Sequence, residues 1–222
     1  MRQYDLSVIE KQCEQFLMNL SDLATFYLAA GASGKLIASL ELPEGYELEM
    51  RMSNDFPLVA TTVRQAKDVT ELHQRGEYER LNAYQAMVAL CSLFEVFIAK
   101  LGDSLGARAG NSIRIVSGRR KGIPIEIRNQ TLCLVRAIHE KHGIDSQLNG
   151  DTAICWIYNF FLLRNIVVHE GGRLSANKRE RLVAKWAQHP LDQRLVVNGN
   201  HIDDMVHYLR SHVSSFLYQC RR

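Results

Sequence analysis

Asp151–Gly172 reads DTAICWIYNFFLLRNIVVHEGG and has the pattern of an apolar helix with a polar end. Asp151 is a residue type that caps helices, and a twelve-residue uncharged run, Thr152 to Leu163, follows before the first charge, Arg164. Asn165, a short aliphatic stretch and His169 lead to Glu170 and the pair Gly171–Gly172. Glycine readily adopts the positive φ of a C-cap, so the pair ends the helix. The apolar run therefore closes on a short polar group made of Arg164, Asn165 and His169.

On an ideal helix His169 lies one turn beyond Asn165 and on the same face. Arg164 and His169 are five residues apart, about 140° around and about 7.5 Å along the axis. They can reach a common ligand in two ways: the helix is distorted near the glycines, or a second copy of the same surface completes the site across a two-fold axis.

The segment RNIVVH, Arg164 to His169, resembles the R-x4-6-H signature of the HEPN superfamily. That resemblance implies a mainly α fold, a HEPN-like helical bundle, with the chemistry of a metal-independent endoribonuclease of the toxin or antiviral-defence type. Other members of the superfamily only bind, so a non-catalytic RNA-binding or protein-interaction module is the alternative. By resemblance, Arg164 and His169 form the catalytic pair and Asn165 is the polar residue after the arginine. One branch, paired with nucleotidyltransferase antitoxins, has a tyrosine two residues after the histidine, where this chain has Gly171. The implied partners are RNA, a second copy of the chain in a homodimer, and an antitoxin or regulatory protein. Read without the resemblance, the same residues are the solvated last turn of a helix, with His169 placed favourably against the C-terminal dipole.

Composition fits a soluble globular chain: 222 residues, 46% hydrophobic and 23% charged, suffice for one sizeable core or a domain with an extension. The longest uncharged runs, Leu81 to Phe94 and Thr152 to Leu163, fall short of the ~20 residues that a membrane helix needs. The N-terminus has no signal-peptide pattern, so the expectation is a cytoplasmic protein without a membrane partner. Five scattered cysteines with no C-x-x-C pair read as reduced core residues. No carboxylate cluster or Cys/His set suggests a metal, and no cofactor is expected.

The net charge of +3 hides an asymmetry. Residues 1–100 carry 9 Lys+Arg against 14 Asp+Glu, a net of −5, whereas residues 101–222 carry 18 against 10, a net of +8. The second half is the candidate for nucleic acid.

Taken in order, apolar residues recur at helical spacing from Leu6 to Tyr27, predicting an amphipathic helix up to Gly31, with GASGK as a turn. Leu36–Leu42 and Glu47–Met52 flank PEGY and predict a small β-hairpin. A helix is expected over 61–75, and a long one from Glu77 to Leu101 with Gly102 as its stop. Glu95 interrupts the apolar stripe of that long helix. It either orients Arg164 or His169, or it is an ion pair at the rim of the core.

Gly102–Arg128 is rich in arginine and lysine, and Ile113–Ile115 and Ile123–Ile125 bracket SGRRKG as a hairpin or lobe. Its tip, Arg119, Arg120 and Lys121, either binds backbone phosphates or is a solvated turn. A helix is expected over 128–142, where His139 and His142 read as surface residues without the HExxH zinc pattern. After the central helix, Arg173, Lys178, Arg179, Arg181 and Lys185 form a second positive group, with Arg173 the RNA-binding candidate and Ser175 the expected cap. Leu195–Val197 reads as extended. The final helix is expected to start at Asn200, with His201, His207 and His212 as its polar decoration. The organisation expected is a helical extension with a β-hairpin over 1–76 and a HEPN-like helical domain over 77–222.

Overall fold

The computed structural model describes residues 5–40, 47–50, 62–116, 124–143, 150–179 and 197–222. Its long helices are α1 (Leu6–Ser39), α3 (Glu77–Leu105), α5 (Asp151–Glu170) and α7 (Gly199–Arg221). Shorter helices are α2 (Ala66–Gln74), α4 (Gln130–Lys141) and the single turn α6 (Ala176–Arg179). Two antiparallel strand pairs complete the described part: β1 (Glu47–Met50) with β2 (Thr62–Gln65), and β3 (Ile113–Val116) with β4 (Pro124–Ile127). The chain is mainly helical, as its periodicity predicts.

The centre of the bundle is α3, which packs against α1, α2, α4, α5 and α7. Polar ties fix α1 antiparallel to it. Gln12 donates to Ser104 at 2.7 Å, Asn82 to the Tyr27 carbonyl at 3.2 Å, and the Tyr78 hydroxyl to the Ala30 carbonyl at 2.9 Å. Ile9, Cys13, Phe16 and Leu20 of α1 join one core with residues of α3, α4, α5 and α7. All five cysteines are buried and none is in a disulfide.

Every residue of α5 from Ala153 to Leu163 except Trp156 is buried, so the helix is enclosed on all sides, and its one buried polar side chain there, Asn159, donates to the Cys155 carbonyl at 2.6 Å. Gly171 ends it at φ 58° and its N–H bonds back to the Ile166 carbonyl. By length and composition both α3 and α5 are apolar enough to cross a membrane, but about half of each apolar window, 50% and 56%, is buried against the rest of the protein, as in a core helix.

Several local expectations need correction. GASGK is no turn: α1 continues through it to Ser39. Gly34 sits so close to Tyr78 that an added methyl would run into the ring, so this glycine permits helix contact instead of ending a helix. The strand pairing shifts accordingly, since Glu47–Met50 pairs with Thr62–Gln65 downstream and not with Leu36–Leu42. The helix expected over 61–75 begins only at Ala66.

Gly102 likewise lies inside α3, which ends at Gly106, because the Leu134 side chain fills the space of its missing Cβ at 2.7 Å. Asp151 does not cap α5; Gly150 occupies that position. Its carboxylate accepts from the Val116 N–H at 2.6 Å and pairs with Arg136 at 3.0 Å, pinning the second hairpin and α4 to the start of α5. The cap of α7 is Asn198, two residues before Asn200, in a capping box with His201.

The hairpin over 113–127 forms with Ile113 opposite Ile127 and Ile115 opposite Ile125. Its tip, with Arg119, Arg120 and Lys121, lies outside the described residues, as do Arg181, Lys185 and the stretch 180–196. Two histidine expectations fail. His139 and His212 are not on the surface but are 2% and 4% exposed, stacked with ring centroids 5.3 Å apart.

Candidate functional site

The polar end of α5 emerges from the bundle between two neighbours: α3 on one side, and β4 with α6 on the other. Because α3 and α5 run antiparallel, Glu95 of α3 comes level with Arg164. Their side chains pair at 3.8 Å, each about one third exposed. The guanidinium also donates to the adjacent Asn165 Oδ1 at a long 3.5 Å. Cys91, one turn before Glu95, is pushed up to about 12 by burial and is a neutral thiol beneath this pair.

Arg164, Glu95 and Asn165 are therefore together. The His169 side chain is exposed and makes no hydrogen bond or ion pair among the described residues. The α5 helix is regular up to Glu170, so the offset of about 140° between Arg164 and His169 stands. Arg173, just past the glycines, is exposed, and its backbone N–H donates to the Glu170 carbonyl at 3.0 Å.

One turn N-terminal of His169 on the same face, Asn165 lines a groove of about 630 Å³. Its floor is Tyr158, Phe161 and Leu162 of α5 with Ile125 and Ile127 of β4, and its rim is Glu126, Arg128, Asn129 and Lys178. The two basic stretches of the sequence thus meet here, Arg128 from one and Lys178 from the other. Each cation has a carboxylate neighbour. Arg128 pairs with Glu126 at 3.3 Å, and this bond, with a further one from Ser112, holds the Glu126 carboxyl below the usual carboxylate range. Lys178 pairs with Glu170.

Asn129 uses its side-chain oxygen to cap α4, accepting from the Leu132 N–H at 3.0 Å. Tyr158 and Asn129 escape a reading of the sequence for charged motifs. The signal available for Tyr158 is its spacing, since it precedes Asn165 by seven residues and so shares its helical face. Among the described residues no group of three or more His, Cys, Asp or Glu side chains is arranged to hold a metal ion. No protein-family model matches the chain, and no curated protein or solved structure matches it.

Proposed function

We propose that the chain is a metal-independent endoribonuclease of the toxin or antiviral-defence type, as the resemblance of Arg164–His169 to the HEPN signature implies. The observation that carries this reading is the polar group on an otherwise buried helix: Arg164 aligned by Glu95 and Asn165, with exposed His169 one turn beyond Asn165.

In metal-independent cleavage the substrate's own 2′-oxygen bonds to phosphorus while the bond from phosphorus to the 5′-oxygen breaks. One proton leaves the 2′-hydroxyl and one reaches the departing 5′-oxygen, leaving 2′,3′-cyclic phosphate and 5′-hydroxyl ends. Histidine suits one of these transfers because its ordinary titration range is close to neutral pH. The arginine fork suits the charge gathering on the phosphate oxygens. Glu95 is the positioning residue, holding the guanidinium in one direction.

Within one copy, Arg164 and His169 point too far apart around α5 to grip one phosphate. The proposed working unit is therefore a two-fold dimer with these surfaces facing each other. Val168, 51% exposed beside His169, is the apolar contact such an interface would cover. A monomer by light scattering at micromolar concentration, combined with full activity, would rule out this arrangement.

The decisive assay incubates the protein with RNA in excess EDTA. Cleavage is expected to continue, to give cyclic-phosphate ends, and to stop when the scissile nucleotide is 2′-deoxy. Activity that disappears with EDTA, or that survives undiminished in both Arg164→Ala and His169→Ala, would remove the endoribonuclease reading. The RNA-binding module then takes its place, favoured by the basic rim of the groove beside Asn165.

A further inference from the structure

A second groove runs along the seam where α1 packs against α3. Its lining recurs at helical spacing on both sides, with Val8, Gln12 and Gln15 from α1 and Leu93, Val96 and Lys100 from α3, so it is a trough between two packed helices. Phe16 and Phe97 form its floor, buried with ring centroids 4.5 Å apart. Val8 and Val96, 40% and 54% exposed, give it apolar sides that meet water. Its volume of about 450 Å³ lies within the ~300–1,000 Å³ range of small-molecule pockets. Two features set the chemistry of an occupant. Lys11 and Lys100, one from each helix, are exposed at the edge, and neither ammonium has a hydrogen-bond or ion-pair partner among the described residues. A lysine stem lies along apolar surface while its charge stays in water, so both extend the wall and end in a cation. Gln12 donates from Nε2 to Ser104, but its Oε1 is enclosed and has no partner among the described residues. A serine hydroxyl donates as readily as it accepts, so half a turn of the amide keeps that bond and offers a ligand oxygen an N–H instead.

We propose that this groove binds the free anion of a medium-chain fatty acid. The tail lies on Phe16, Leu93, Val96 and Phe97, and the carboxylate stays at the water edge with the lysines. Burying the tail removes apolar surface from water, and leaving the head hydrated avoids the cost of enclosing a charge. The two unpaired cations select an anion over a cation of the same tail, and the apolar trough selects an amphiphile over a bare anion. Glu10, the carboxylate that precedes Lys11, is held by Arg221 at 2.7 Å. None of the groove residues belongs to the Arg164 group, so this proposal and the cleavage reading fail separately.

The test is equilibrium dialysis with decanoate, kept below its micelle concentration. One decanoate should bind per chain, with affinity rising about fourfold for each methylene added from hexanoate upward. Acetate should displace it poorly, and decyltrimethylammonium should bind far more weakly. Lys11→Gln with Lys100→Gln should weaken binding by about threefold to tenfold, since exposed ion pairs contribute little, and should remove its dependence on salt. Val96→Glu alters a half-exposed position, so it should keep the melting temperature and weaken binding by about tenfold or more. Gln15→Lys should tighten binding, a gain that damage to the fold cannot mimic. Equal binding of the cationic amphiphile, a folded Val96→Glu protein that binds as wild type, or no binding of decanoate would each overturn the proposal. If decanoate fails to bind and light scattering shows a two-chain mass that Val96→Glu halves, the occupant of the groove is a second copy of the chain.

Discussion

His169 and His212 are the same residue type on two of the long helices, and the protein treats them in opposite ways. His169 stands exposed where α5 leaves the bundle. His212 lies inside, 4% exposed, between His139, Phe94 and Tyr208, and neither of its ring nitrogens has a hydrogen-bond partner among the described residues. Burial lowers His212 to about 4, because a charged imidazole cannot be solvated among aromatic rings. The difference teaches that a histidine's chemistry follows from its surroundings: one faces solvent, and the other is a neutral packing group whose protonation opposes folding.

The largest effect expected from this contrast is on activity. His169→Ala should reduce RNA cleavage by about 10²–10⁴-fold, the usual contribution of a general acid or base, while the melting temperature stays put. His212→Leu should do the reverse, leaving specific activity per folded molecule intact at pH 7. A His169 variant that loses stability but not turnover would dissolve the contrast.

The second effect is on stability against pH. The folded-state value of His212 lies below its unfolded value, so the unfolded chain takes up the proton more readily. Stability is therefore complete above about pH 6.5 and declines as pH falls toward about 4, by about 3 kcal/mol in total. Urea titrations at pH 7 and pH 4.5 would measure this. The acid-side loss should shrink in His212→Leu, and an equal loss in both proteins would assign the pH dependence to carboxylates elsewhere.

Packing gives the third. Gly102→Ala forces a methyl into Leu134, which already occupies that space at 2.7 Å. A loss of about 1–3 kcal/mol is expected from overpacking, despite alanine's better helix propensity. A more stable variant would mean that Leu134 simply turns aside.

The smallest effect concerns Glu95. Its pair with Arg164 is about one third exposed on each side, so Glu95→Gln should cost less than about 1 kcal/mol of stability. If Glu95 positions the guanidinium, the same change should lower kcat more than it raises KM. Unchanged kinetics would leave it as an ion pair at the edge of the core.

The sequence by itself determined the helical class, the internal character of α5, its stop at Gly171, and the adjacency of Arg164 and Asn165, because helical period and glycine's positive φ act over a few residues. A strand pair flanking SGRRKG was legible for the same reason, but its register was not, since Ile113 lies opposite Ile127 and Ile115 opposite Ile125. Tertiary structure alone decided the rest. Gly34 and Gly102 look like breaks until Tyr78 and Leu134 are seen filling the space beside them. His139 and His212, 73 positions apart, read as polar decoration until α4 and α7 stack their rings. Glu95 meets Arg164 because antiparallel packing sets α3 level with α5, and Arg128 and Lys178 share one groove only because the ends of β4 and α6 come together beside α5. Such contacts join residues far apart in the chain, and no local pattern records which faces will be buried together.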